Sequence, residues 1–465
     1  MMDRRQMLGL AMAGSVAWRA GAAVAQPLDP SATSVLDAIT SKAATVGGAL
    51  VAVRDGRTVA SYYWGSASLP YDVAVNEQTL FHLGSNGKLV TALAVMQLSR
   101  AHGIDLADPV GQHLKGLPDV MAAVPISRLL NHTSGLADYP DALPDWDRAQ
   151  GRGAIQAAVA GQPVRFQAGE AWSYSNTNYV ILGWLLEALS GMGYADYVKS
   201  HLFEPAALPT GRTDASEQII RHRAEPYLIA ADGTVRHAVR MEDGVSRAAD
   251  GGVLMSALDA GPWRAALDRN RLISAEDMAR VLQPAPLTTG RVAPYGYGVF
   301  LEKCRGAPLL THSGGVPGFV SQWMTWPGAD LSILAMTNSQ VAGSRQPDLK
   351  RMIAVMAEAV APGISWLGQP PEQDGSDART AALLGLITCK PGEAISEGLL
   401  APEIAKVVSS HPRPASGIER LAPLESWFPG QEADQGELTR YRFERAGTAR
   451  EIVVGWTPDN QIYWI

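Results

Sequence analysis

Phe81-His82-Leu83-Gly84-Ser85-Asn86-Gly87-Lys88 runs directly into Leu89-Val90-Thr91-Ala92-Leu93-Ala94-Val95-Met96-Gln97-Leu98, and Gly103 follows a few residues later. The second half is apolar on nearly every side, so it reads as a buried helix rather than a surface one, with Gly103 as its stop. Ser85 and Lys88 are three apart where that helix begins, which sets both side chains on one face. A hydroxyl beside an amine at the positive end of a helix has the makings of an activated nucleophile. The amine can take the hydroxyl proton if burial lowers its pKa, and the helix N-terminus favours negative charge at the reacting centre. A Ser-x-x-Lys also arises by chance, as a cap followed by a surface lysine. Here its lysine opens a helix with almost no other charge, and no second Ser-x-x-Lys occurs in the chain.

The chain of 465 residues exceeds one ordinary core, so two or three domains are expected. Hydrophobic content of 46% with 18% charged residues describes a globular protein. A net charge of −7 without a basic cluster argues against nucleic acid as a partner. Residues 1–25 read as an export signal: Arg4-Arg5 gives a twin-arginine pair, Gly9 to Ala17 is apolar and small, and Ala23-Val24-Ala25 is a cleavage pattern. A periplasmic or secreted bacterial protein is therefore expected. Beyond this segment no apolar run is long enough for a transmembrane helix. Export permits a disulfide between Cys304 and Cys389, but nothing in the sequence brings them together, and buried thiols are the expected state.

Residues 33–43 can form a short helix, and Gly47–Val53 and Thr58–Trp64 flank Arg54-Asp55-Gly56-Arg57 as a hairpin. Residues 140–270 are mainly helical patterns, clearest over Val180–Leu189 and Ala257–Asp268. Strand character returns at Tyr295–Leu301, Pro308–His312, Phe319–Trp326 and Leu331–Thr337, followed by a helix from Asp348 to Ala361. The expected fold class is α+β, one antiparallel sheet built from both ends of a domain spanning 26–361 and flanked by helices, with a helical lobe. Residues 362–380 read as a linker, and 381–465 as a small α+β module.

Two further stretches belong beside Ser85. In Tyr174-Ser175-Asn176 a phenol and an amide can both point into a cleft, the phenol shuttling a proton if lysine charge lowers its pKa. In Thr311-His312-Ser313-Gly314-Gly315 the glycines let a substrate backbone approach, and the amides of Gly315 and Ser85 can form an oxyanion hole. His312 is either a substrate contact or a strand-end histidine bonded to a neighbour.

Ser85-x-x-Lys88, Tyr174-x-Asn176 and His312-x-Gly314, in this order, resemble the serine β-lactamase and penicillin-binding fold, in its class C β-lactamase, DD-peptidase and family VIII esterase branch. Leu129-Leu-Asn-His-Thr-Ser-Gly-Leu136 and Gly251-Gly252-Val-Leu-Met-Ser256 look like the same group. The resemblance covers residues 30–361. It implies Ser85 as the acylated nucleophile, Lys88 and Tyr174 as the acid–base pair, Asn176 as a substrate-orienting residue, and Tyr139 lining the cleft. It implies no cofactor and no metal, and a small-molecule or peptide substrate. One position departs from the pattern. Efficient β-lactamases of this family carry lysine where His312 stands, and a neutral histidine engages a substrate carboxylate less well. The expected activity is therefore hydrolysis of an ester or amide, a D-amino-acid peptide or a small ester, through an acyl-serine. A true β-lactamase and a catalytically silent binding relative are the alternatives.

Overall fold

The computed structural model describes residues 28–42, 45–143, 151–215, 218–230, 232–238, 248–341, 348–365, 378–388, 398–401, 416–420, 437–445, 448–456 and 462–464. Cys389 and the expected export signal lie outside them.

A seven-stranded antiparallel sheet carries the main domain. In chain order its strands are β1 (Gly47–Arg54), β2 (Arg57–Ser68), β3 (Val73–Ala74), β4 (Phe300–Cys304), β5 (Ala307–Val316), β6 (Phe319–Trp326) and β7 (Leu331–Thr337). Their spatial order is β4-β5-β6-β7-β1-β2-β3, so the two ends of the domain meet where β1 pairs with β7, Ala49 opposite Met336. The β1–β2 turn has two residues, Asp55 (φ 48) and Gly56 (φ 67), the left-handed pair that matches strand twist. β1 is central and nearly wholly buried because its two faces serve two cores. Ala49, Val51 and Val53 point to the core shared with the helical lobe; Leu50 and Ala52 point to the core beneath the terminal helices.

Helices α1 (Pro30–Lys42) and α6 (Leu349–Val360) cover that second face through Leu36, Met352, Ile353 and Met356. On the first face lie α2 (Lys88–His102), α3 (Asn176–Ser190), α4 (Ala257–Asp268) and α5 (Ala275–Val281). α2 is buried around most of its circumference, as its continuous apolar sequence requires, and ends at Gly103 with φ 64. α4 starts in a capping box, Ser256 bonded to the first-turn amides while Asp259 reaches back to the Ser256 N–H at 2.8 Å.

The expected strand at Tyr295–Leu301 begins later, at Phe300. Residues 295–299 form a bend because Gly298 takes φ 77 and packs on the start of α2; a Cβ there would lie 2.7 Å from Leu89 N. The two glycines, Gly296 and Gly298, mark a close approach rather than a strand.

In the C-terminal part, helix α7 (Ala378–Thr388) starts within the stretch read as a linker. A four-stranded antiparallel sheet of β8 (Ser416–Arg420), β9 (Glu437–Arg445), β10 (Thr448–Trp456) and β11 (Ile462–Trp464) follows. Ala401, bonded through its N–H to Ile462 O, is fully buried against Ala285, Ala293 and Tyr295 of the main domain. Among the described residues no helix is long and apolar enough to cross a membrane.

Candidate active site

Ser85 occupies a single 3₁₀ turn, Gly84–Gly87, that leads into α2 at Lys88. Residues i and i+3 eclipse in such a turn, which aligns the two side chains. Lys88 Nζ accordingly lies 3.1 Å from Ser85 Oγ. The turn is pinned from several directions. Ser321 of β6 bonds both Asn86 Nδ2 (2.8 Å) and Leu83 O (2.7 Å), and His82 Nδ1 accepts the Gly84 N–H at 3.1 Å. Behind His82 sit Asp214, 4.0 Å from its Nε2, and Arg223, which donates to Asp214 at 2.6 Å. Gly84 has φ 53, and a Cβ on it would lie 2.6 Å from Gly315 N, so the turn and strand β5 touch backbone to backbone.

Lys88 is fully buried. Besides Ser85, its Nζ donates to Asn176 Oδ1 at 2.7 Å and to the Asp250 carbonyl at 2.5 Å. Burial brings its pKa down to about 8, against the opposing pull of the Asp250 and Asp138 charges. Asn176 is the first residue of α3, and Asp138 completes that helix end. Its carboxylate accepts the Asn176 N–H (2.7 Å), the Asn176 Nδ2 (3.0 Å) and the Thr177 N–H (3.3 Å). It thereby serves amides that the neighbouring Ser175 side chain leaves unserved. Burial nonetheless raises the Asp138 pKa to about 6.

The Tyr174 ring is half-buried, its hydroxyl is sealed from solvent, and that oxygen has no hydrogen-bond partner among the described residues. Lys88 Nζ sits 5.0 Å from the ring centroid. The expectation that lysine charge lowers the phenol pKa is corrected: burial holds it well above 10, with the Ser85 hydroxyl acting only partly in the other direction. Tyr174 is a neutral donor in the resting protein. His132, buried and at φ 60, packs its ring 4.4 Å from that of Tyr174. Its Nδ1 faces two donors, Ser175 N (3.3 Å) and Asn178 Nδ2 (3.1 Å), so Nδ1 accepts and Nε2 carries the proton. Burial, then the Lys88 charge, keep it neutral.

The third stretch borders the same place. β4 pairs with β5 only as far as Thr311, so His312 to Val316 lack a strand on that edge, and Gly84 packs there. Ser313 and Gly315 are exposed, while a Cβ on Gly314 would fall 1.8 Å from Leu83 O. His312 does not project as a cation. Its Nδ1 donates to Ser313 O at 2.6 Å, its Nε2 accepts from Tyr295 Oη at 2.9 Å, and burial takes its pKa down to about 3.

The structure thus brings Ser85, Lys88, Tyr174, Asn176, His312, Gly314 and Gly315 around one cleft. Tyr139 sits below it, 1% exposed, with its hydroxyl donating to Asp250 Oδ2 at 2.9 Å. It supports the short helical turn Ala248–Gly251, whose Asp250 carbonyl receives Lys88, rather than lining the cleft, because its hydroxyl is spent on that buried carboxylate. His132, Asp138, Asp250 and Tyr295 were not singled out. The Asn131-His132-Thr133 turn offered a signal for the first; the others carry no local pattern.

The Beta-lactamase family model matches residues 32–357. The chain belongs to the Beta-lactamase family. It is a serine hydrolase of this family. It is 31% identical over 301 residues to penicillin-binding protein 4 of Amycolatopsis lactamdurans, covering 60% of this chain and 77% of that protein. It is 25% identical over 397 residues to a D-aminopeptidase of Gluconobacter oxydans, covering 78% of this chain and 69% of that protein. The D-amino acid amidase from Ochrobactrum anthropi SV3, solved with L-phenylalanine, shares the fold of this family member with a TM-score of 0.62. The two are 22% identical over 71% of this chain and 98% of that one.

Proposed function

We propose that this protein is an exported hydrolase that cleaves a small amide or ester, with a D-amino-acid amide or peptide first among substrates, through an acyl intermediate on Ser85. The observation that carries the reading is the fully buried Lys88 amine, 3.1 Å from the Ser85 hydroxyl and with a pKa brought down to about 8. A lysine at that pKa is partly neutral near pH 7 and takes the Ser85 proton as the oxygen attacks the carbonyl carbon. The tetrahedral oxyanion that forms faces the N–H groups of Ser85 and Gly315, which sit where the turn and β5 touch. Tyr174, a neutral phenol beside Ser85, donates its proton to the leaving nitrogen or oxygen, and Lys88 returns the proton to it. Asn176 holds Lys88 in place and presents its amide to the substrate carbonyl. Water then attacks the acyl group with the same residues acting in reverse.

His312 argues for the substrate class. A neutral imidazole locked between Ser313 O and Tyr295 supplies no positive charge for the carboxylate of a β-lactam, so amide and ester turnover is favoured over β-lactamase activity. The D-aminopeptidase and D-amino acid amidase among the similar proteins support the same class. Residues 1–25 support export to the periplasm or medium.

The test is intact-protein mass after incubation with a penicillin, alongside turnover of a nitrophenyl acetate and of D-phenylalanine amide. A penicilloyl adduct mapped to Ser85, with amide or ester turnover lost in Ser85→Ala while circular dichroism is unchanged, is the expected result. Undiminished turnover in Ser85→Ala refutes the acyl-serine mechanism. Rapid release of hydrolysed penicillin without an adduct overturns the substrate assignment.

A further inference from the structure

A cavity of about 270 Å³ lies between the sheet and helices α4 and α5, and Ser85, Lys88 and Tyr174 are not among its lining residues. Leu310 of β5 and Trp323 of β6 form one wall; Leu267, Met278 and Leu89 form the facing one. His312 and Asn86 close its inner end, on the reverse side of the nucleophile turn, and Asp268, Asn270 and Pro327, all exposed, frame its mouth. Since Trp323 pairs with His312 and Thr325 with Leu310, the cavity follows the strands away from the cleft. From Trp323 to Pro327 it runs about 13 Å at the usual strand rise. It is therefore an elongated apolar channel with its own opening.

Among the described polar groups of its lining, Arg264 is the one with a buried donor left unserved. The Arg264 side chain is 12% exposed and pairs with Asp268 at the mouth. Its Nε is buried and has no hydrogen-bond partner among the described residues. A buried donor left unserved is costly unless an acceptor reaches it. An apolar channel offers a linear chain continuous contact without displacing ordered water. We infer that this channel is a binding site for a medium-chain acyl compound, its alkyl tail lying along Leu310, Trp323 and Met278 and its carboxyl oxygen accepting from Arg264 Nε. The site rests on the cavity and on Arg264, and stands whether or not Ser85 is the nucleophile. Its inner end touches Asn86 and His312, so an occupant bears on the catalytic turn from behind.

Titration of the full chain with decanoate and octanoate, followed by calorimetry and thermal melting, tests the assignment. Each additional buried methylene strengthens binding about fourfold, so decanoate should bind at least tenfold more tightly than octanoate and raise the melting temperature. Met278→Trp and Leu310→Trp each fill the channel from opposite walls and should abolish binding with the circular dichroism spectrum unchanged. Arg264→Met should weaken it about tenfold, and this variant decides the question if both filled variants fail to fold. No binding of either acid overturns the site. Binding equally strong in the filled variants or in Arg264→Met also overturns it, since the acid then sits elsewhere, for instance in the catalytic cleft.

Discussion

Replacing Asp138 by asparagine should move the alkaline activation of this enzyme toward neutral pH. Asp138 accepts from Asn176 Nδ2 at 3.0 Å, and Asn176 Oδ1 accepts from Lys88 Nζ at 2.7 Å. The carboxylate is thus two hydrogen bonds from the ammonium, about 7 Å through space. At an effective dielectric of about 20, unit charges at that distance attract by about 2.4 kcal/mol, or at most about 1.7 pKa units. Asp138, with its pKa near 6, is about nine-tenths ionised at pH 7, so at most about 1.5 units remain at neutral pH. The amide introduced at position 138 also turns a donor toward Asn176 Nδ2, so Asn176 must rotate and withdraw the carbonyl that receives Lys88. Both changes remove support for the charged lysine. In the unaltered protein kcat/KM should rise with pH through about 8 as Lys88 loses its proton. In Asp138→Asn that limb should shift down by up to about 1.5 units, raising the free-amine fraction at pH 7 from about one tenth to as much as about three quarters. The assay is the pH profile of kcat/KM on the amide or ester substrate, because its midpoint is insensitive to a uniform loss of rate. A limb that stays in place or moves upward refutes the electrostatic coupling; one near the ordinary lysine value in the unaltered protein refutes the lowering of the Lys88 pKa by burial.

Tyr174→Phe removes a sealed hydroxyl that has no hydrogen-bond partner among the described residues, so turnover should fall by about 10²–10⁴-fold while stability holds or rises by about 1 kcal/mol. Urea melts beside kcat measurements check it, and a variant that keeps turnover excludes Tyr174 as the proton donor. Gly314→Ala should cost more than about 3 kcal/mol and block acylation, because its Cβ would meet Leu83 O at 1.8 Å, backbone against backbone. Gly315→Ala, with nothing within 4 Å of its Cβ and its N–H retained, should fold and acylate normally; matched melts and penicillin labelling of the two variants separate the cases.

Local signals carried much of this protein. The Asp55-Gly56 turn, the apolar run of α2 and the helix over Ala257–Asp268 are short-range features, and each formed where the sequence placed it. That one sheet is built from both ends of the domain was legible in the N-terminal hairpin and the late run of strands; that the seam lies between β1 and β7 came only with the structure. The bend at residues 295–299 was misread because Gly298 serves a contact with α2, which sequence spacing does not register.

Residue type and order alone determined that Ser85 and Lys88 share a face, since three residues in one helical turn permit little else. They also named Tyr174, Asn176, His312 and the glycines as companions. What those groups are in chemical terms was decided only by the tertiary structure. Whether Lys88 is a base, Tyr174 an acid and His312 neutral depends on which charges and how little water surround them. Asp138 and Asp250, which set that environment, lie 50 and 162 residues from Lys88 along the chain and meet it only once α2, α3 and the short helical turn Ala248–Gly251 have packed. Burial and Coulomb interaction act through space, and a linear sequence records neither.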